Sequence, residues 1–128
     1  MLKILCMTVL HNDNLYMMVS ELEVNRGYVD LALILHHDAR KYQALDFLLE
    51  FKYVDLKELG LSGEQVQALA ADQLAALPLV TAKLEEASEQ ARRYGADLRA
   101  RYPLADLRCA ALVNVGLQRV VWRAVPDP

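Results

Sequence analysis

Apolar residues in the first half of the chain recur with the spacing of β-strands. Residues 16–23 predict a strand with Tyr16 and Met18 on one side and Met17 and Val19 on the other. Residues 28–36 are apolar on both faces, which is typical of a central strand. Residues 44–54 predict a third strand. This part of the chain therefore forms neighbouring strands of one sheet.

The second half of the chain changes to a helical pattern. Ala and Leu dominate residues 64–77, and Ser62 with Gln65 three residues later predicts a capping box at the start of a helix. Pro78 is expected to break or kink that helix, because proline lacks the backbone N–H that a helix interior needs. A second helix is predicted over 80–101.

The remaining segments complete the order of elements. Residues 1–12 predict a short helix, and residues 107–117 and 119–125 predict two strands joined by a turn. The order helix, three strands, two helices, two strands predicts an α/β sandwich with a mixed central sheet flanked by helices. A length of 128 residues corresponds to a single domain, 1–128.

Composition narrows the class of protein. A hydrophobic content of 55% predicts a folded domain, and a net charge of −3 provides no overall attraction to nucleic acid. Cys6 and Cys109 lie outside any CxxC motif, so they are expected to be reduced thiols of a cytoplasmic protein. No apolar stretch reaches the roughly 18 residues that a membrane span needs. A core helix is favoured over a signal peptide for residues 1–12.

Charged residues interrupt two of the apolar strands. Asp30 lies within the second strand, and Glu50 and Lys52 lie within the third. Burying such charges costs several kcal/mol unless they are paired or bind a metal, as transfer and mutational data show. Lys52 follows Glu50 by two residues, so both project from the same face of their strand. The pattern indicates either a divalent-metal site, with Asp30 and Glu50 as ligands, or a structural ion pair.

These motifs resemble a known family. The order Asp30, Glu50, Phe51, Lys52 on neighbouring strands resembles the PD-(D/E)xK nuclease superfamily, with Val29 in place of the proline. More narrowly, the sequence is similar to the nuclease-like C-terminal domain of bacterial AAA-ATPase-like proteins. The segments that carry this similarity are Ser20-Glu21-Leu22-Glu23, Arg26-Gly27-Tyr28-Val29-Asp30-Leu31, Leu49-Glu50-Phe51-Lys52, and Gln90 with Tyr94.

The resemblance implies a restriction-endonuclease-like fold and a metal-dependent nuclease, with DNA as the expected substrate. Asp30 and Glu50 would bind Mg²⁺ or Mn²⁺, and Lys52 would orient water or stabilise developing negative charge. Gln90 and Tyr94, one helical turn apart, would support the site, although an ordinary surface position is the alternative for both. Glu23 would be either a third acidic ligand or a charge at the rim.

The sequence also allows predictions about binding partners and oligomeric state. The alternative to an active nuclease is an inactive domain of the same fold that partners an AAA-ATPase-like protein. Residues 119–125 predict an edge strand, which favours a homodimer because unpaired edges invite partners. Trp122 is expected in the core or an interface, with a base-stacking platform as the alternative. The arginines of the long helix would form either a phosphate-binding stripe or a salt-bridged surface with nearby glutamates such as Glu86: Arg92, Arg93, Arg99 and Arg101.

Overall fold

The structure, a computed structural model, describes residues 16–24, 27–35, 46–101 and 107–126. Its strands form one five-stranded mixed sheet in the order β1-β2-β3-β4-β5. This confirms the predicted α/β fold with a central mixed sheet and flanking helices. The predicted helix over 1–12 lies outside the described residues. The strands are β1 (Tyr16–Val24), β2 (Gly27–Leu35), β3 (Asp46–Val54), β4 (Leu107–Val115) and β5 (Arg119–Val125).

Only one pair of neighbouring strands in this sheet is parallel. β1 and β2 are antiparallel, with Val24 opposite Gly27, and β2 is antiparallel to β3. β3 and β4 are parallel, and the connection between them carries the helices. β4 returns as β5 through a turn at Gly116, whose φ of 57° lies in the left-handed region that glycine adopts without a steric cost. The fourth strand therefore ends at Val115, two residues earlier than predicted.

The helical segment is more divided than the sequence pattern predicts. The helices are α1 (Leu56–Leu59), α2 (Gly63–Ala68), α3 (Ala71–Ala75) and α4 (Pro78–Arg101). The capping box is confirmed: the Gln65 N–H donates to Ser62 Oγ at 3.1 Å, and the Ser62 N–H donates to Gln65 Oε1 at 2.8 Å. Pro78 is the first residue of α4, where its missing N–H has no cost. The predicted single helix over 64–77 is wrong, since the chain is extended at Leu69.

The core lies between α4 and one face of the sheet. α4 has 24 residues and so spans roughly 36 Å, enough to cross the sheet from end to end. Its fully buried side chains, including Leu84 and Leu98, belong to the same cluster as Leu48 in β3 and Val113 in β4. In the part of the chain that the structure describes, no helix combines the length and apolar character that crossing a membrane requires.

Candidate active site

Asp30 and Glu50 lie side by side on the face of the sheet that α4 covers. Ala32 of β2 is opposite Leu48 of β3, and both belong to the core beneath α4. Asp30 precedes Ala32 by two residues and Glu50 follows Leu48 by two. Because side chains alternate along strands and these strands are antiparallel, both acids project from that same face at adjacent positions.

The backbone of each strand holds the carboxyl group of the other. The Asp30 N–H donates to Glu50 Oε1 at 3.1 Å, and the Phe51 N–H donates to Asp30 Oδ2 at 2.9 Å. This reciprocal arrangement requires both acids and both strands, so it fixes the pair more firmly than either side chain alone.

Glu50 is in an environment that disfavours its charge. Only 2% of the residue is exposed. Burial raises the pKa of Glu50 to about 8, and the charge and side-chain hydrogen bond of Asp30 act in the same direction. The Asp30 N–H and the Lys52 charge oppose the shift without overcoming it. At neutral pH the Glu50 carboxyl group is therefore mostly protonated. A cation bound between the two acids would stabilise the ionised form of Glu50.

Lys52 is paired with a residue of α4 that was not predicted for the site. Its Nζ lies 3.2 Å from Glu86 Oε1, and Lys83 Nζ lies 3.5 Å from Glu86 Oε2. The hydrogen bond from Lys52 lowers the pKa of Glu86, so Glu86 is ionised. The sequence assigned Glu86 only to a charged helix surface. Its position four residues before Gln90, on the same helical face, is the signal that could have identified it.

Two contacts show in which direction α4 lies over β3. Glu86, in the first half of α4, meets Lys52, and Arg99 Nη2 donates to the Leu107 carbonyl oxygen at 3.1 Å near the end of the helix. Leu107 lies beside Asp46, the first residue of β3. α4 therefore runs antiparallel to β3. From the rise per residue of helix and strand, both spans are about 20 Å, so the two elements stay in step.

This alignment separates the two predicted helix residues. Gln90, half-buried, lies about 6 Å along the helix from Glu86 and is level with Glu50. Tyr94 lies a further turn along, level with Leu48, and belongs to the buried core, with the Arg93 guanidinium 5.9 Å from its ring centroid. Gln90 is thus placed to support the acidic pair, whereas Tyr94 packs beside it in the core. Their roles stay predictions.

The structure also places three other predicted residues, Glu23 in β1 and Arg93 and Arg99 in α4. Glu23 lies in β1 opposite Tyr28 of β2, and its side chain lies outside what the structure describes. Arg99 contributes to packing by capping the Leu107 carbonyl, and Arg93 covers the ring of Tyr94. These two arginines therefore have structural partners other than acids. Whether the helix arginines form a phosphate-binding stripe or a salt-bridged surface stays a prediction.

The acidic pair fits a divalent cation. The carboxyl groups of buried Glu50 and half-buried Asp30 lie side by side, where a dication would replace the proton of Glu50 and offset the repulsion between the two acids. In the described ranges, no group of three or more histidine, cysteine, aspartate or glutamate residues is placed to hold a metal. Two carboxylates suffice for Mg²⁺, which usually keeps several waters and also binds substrate phosphate.

Comparison with known proteins agrees with this geometry. A family model described as the PD-(D/E)XK nuclease superfamily matches residues 1–123. Asp30, Glu50 and Lys52 all lie within the matched residues. No curated protein and no solved structure shows a significant match.

Proposed function

Because the chain belongs to the PD-(D/E)XK nuclease superfamily, we propose that it is a cytoplasmic, metal-dependent nuclease that hydrolyses phosphodiester bonds in DNA. The observation that supports this most is the reciprocal hydrogen bonding of Asp30 and Glu50 on adjacent strands. An ordinary structural ion pair would join opposite charges. Here two acids are held together, and one of them is buried. A cation that binds between them would offset their repulsion.

Asp30 and Glu50 are the residues that would hold Mg²⁺ or Mn²⁺. Nucleases of this superfamily generally use such divalent metals. The bound cation would supply electrophilic activation of the phosphate and of the attacking water. The backbone N–H groups of Asp30 and Phe51 keep the two carboxyl groups in place before a substrate arrives. This preorganisation reduces the rearrangement needed during the reaction.

Lys52 would act on the charge that develops at the scissile phosphate. It lies two residues after Glu50 on the same strand face, and its side chain is 23% exposed. A compact ammonium at that place can donate a hydrogen bond to a phosphate oxygen or orient a water. Gln90, level with Glu50, would support the pair from α4. Glu23 would contribute a further acid from β1.

A cleavage assay tests this function. Wild type is incubated with linear duplex, single-stranded and branched DNA, and with RNA, in Mg²⁺, in Mn²⁺ and in chelator. We expect metal-dependent cleavage of at least one DNA form that disappears in Asp30→Asn. The control variant Glu89→Gln changes an exposed acid of α4 and should cleave like wild type. Lack of cleavage of every substrate by wild type would contradict the proposal.

A second candidate, an inactive partner domain, is favoured by an exposed apolar face. Tyr53, Val120 and Trp122 are 53%, 44% and 67% exposed and lie on the side of the sheet away from α4. Trp122 therefore does not lie in the core, and an interface or a base-stacking platform remains for its side chain. An AAA-ATPase-like protein is the partner that this second candidate would bind.

The exposed edge strand β5, which carries two of these apolar residues, leads us to propose a homodimer. β5 is a sheet edge among the described strands, and an edge with exposed apolar residues can pair with another copy. We expect light scattering at tens of micromolar to give the mass of a dimer. Trp122→Lys should shift that mass toward the monomer, because burying a lysine in the interface is costly. A monomeric wild type would contradict the homodimer.

A further inference from the structure

One ion pair joins the sheet to the covering helix beside the acidic pair. Lys52 Nζ lies 3.2 Å from Glu86 Oε1, with side-chain exposures of 23% and 48%. The partners are 34 positions apart in the chain, so the contact depends on the placement of α4 over β3. Ion pairs that remain open to solvent add little to stability. The ion pair therefore matters mainly for the position of the Lys52 ammonium.

The carboxylate is presented from a rigid element. Leu84 and Ala87, on either side of Glu86 in α4, are fully buried or nearly so and anchor that helical turn in the core. The lysine, by contrast, has a flexible four-carbon stem with many rotamers. A fixed acceptor at hydrogen-bond distance restricts where the ammonium can be. Lys52 itself follows Glu50 by two residues on the same face of β3.

We propose that Glu86 is a positioning residue for Lys52, holding its ammonium beside the acidic pair so that it meets the scissile phosphate. This inference rests on the proposed nuclease function, because that function gives Lys52 its role. Glu86 acts through Lys52 and does not itself contact the substrate. Lys83 shares the carboxylate through its other oxygen, at 3.5 Å, so Glu86 remains fixed without neutralising Lys52 completely.

Two opposite effects make the proposal testable. The charge of Glu86 repels a polyanionic substrate, so its removal should improve binding. Its hydrogen bond orients Lys52, so its removal should slow the chemical step. Glu86→Ala is therefore expected to lower kcat about tenfold, since small misplacements of a catalytic group cost one to two orders of magnitude. The same variant should lower KM for DNA.

The conservative variant separates hydrogen bonding from charge. Glu86→Gln keeps an oxygen that accepts from Lys52 Nζ, so kcat should return to within about threefold of wild type while KM stays low. Glu89→Ala, an exposed acid three residues further along α4, should change neither constant appreciably. A kcat in Glu86→Ala equal to that of wild type would overturn the positioning role. Loss of Mn²⁺ binding in Glu86→Ala would also overturn it, by making Glu86 a ligand.

A spectroscopic measurement tests the pair without relying on cleavage. In ¹⁵N-labelled protein, the ammonium resonance of Lys52, assigned by its absence in Lys52→Ala, should be observable because the ion pair slows its exchange and motion. We expect it to disappear in Glu86→Ala and to persist in Glu89→Ala. Persistence in Glu86→Ala would overturn the proposal. If wild type cleaves no substrate, the nuclease function fails, whereas this resonance still decides whether Glu86 holds Lys52.

Discussion

Replacement of Lys52 by alanine should reduce DNA cleavage by about 10²–10³-fold, the usual effect of removing one preorganised electrostatic group. The carboxyl groups of Asp30 and Glu50 are held by backbone N–H groups and not by Lys52, so the fold and metal binding should persist. Lys52→Arg should restore activity only in part, because a planar guanidinium does not replace a compact ammonium. Single-turnover cleavage with saturating Mn²⁺ measures the chemical step.

The control for this experiment is Lys57→Ala. Lys57 is an exposed lysine of α1, five residues further along the chain, and its removal changes the net charge by the same amount. We expect Lys57→Ala to cleave like wild type, so a general loss of DNA attraction would be recognised. Equal cleavage by wild type and Lys52→Ala would place the active site elsewhere.

Glu50→Gln should stabilise the metal-free protein strongly at pH 8 and hardly at pH 5. Burial raises the pKa of Glu50 from 4.5 to about 8. Between these values the folded state keeps a proton that the unfolded state loses, so the contribution of Glu50 to stability is greatest below pH 4.5 and falls as pH rises to about 8. The slope is at most about 1.4 kcal/mol per pH unit. A neutral glutamine does not ionise and avoids this loss.

Chemical denaturation in chelator at both pH values measures the effect. The difference in free energy of unfolding between Glu50→Gln and wild type should grow by a few kcal/mol from pH 5 to pH 8. Glu89→Gln, the same change at an exposed position, should show no such growth. A difference for Glu50→Gln that is the same at both pH values would mean that Glu50 is not held protonated by burial.

The strands and the acidic pair could be predicted because their signals are local. Alternation along residues 16–23 and the two-sided apolar pattern over 28–36 depend only on neighbouring residues. Asp30 and Glu50 stand out because carboxylates are rare in such runs. The register of the two antiparallel strands, with Leu31 opposite Leu49, then places the two acids side by side, and that register comes from the structure.

The division of the helical segment could not be predicted, since its cause is distant in the chain. Leu69 has helix-forming neighbours, yet its backbone is extended, with φ −73° and ψ 142°. Arg119 of β5 donates from Nη1 to the carbonyl oxygens of Val66, Gln67 and Leu69, at 3.2, 3.3 and 2.8 Å. These hydrogen bonds satisfy backbone carbonyl groups at the end of α2 from a residue about fifty positions away. Helix propensity, which is a local property, cannot predict them.

The four-residue spacing to Gln90 could have placed Glu86 on the face of the site, but its pairing with Lys52 depends on a residue distant in the chain. A glutamate among charged helix residues has the pattern of a solvated surface, and local spacing offers Lys83 as a sufficient partner. Only the position of α4 over β3 brings Lys52 within reach. Tertiary placement, rather than local pattern, therefore determines the environment of the candidate catalytic lysine.

Calorimetric titration of Mn²⁺ at pH 7 decides whether Asp30 and Glu50 form a divalent-metal site. Run in two buffers of different ionisation enthalpy, the titration reports both binding and proton release. We expect saturable binding to wild type with release of the Glu50 proton, because a metal ligand must be deprotonated. Asp30→Asn should abolish the binding, and Glu89→Gln should retain it. Absence of binding to wild type, or unchanged binding to Asp30→Asn, would contradict the metal site.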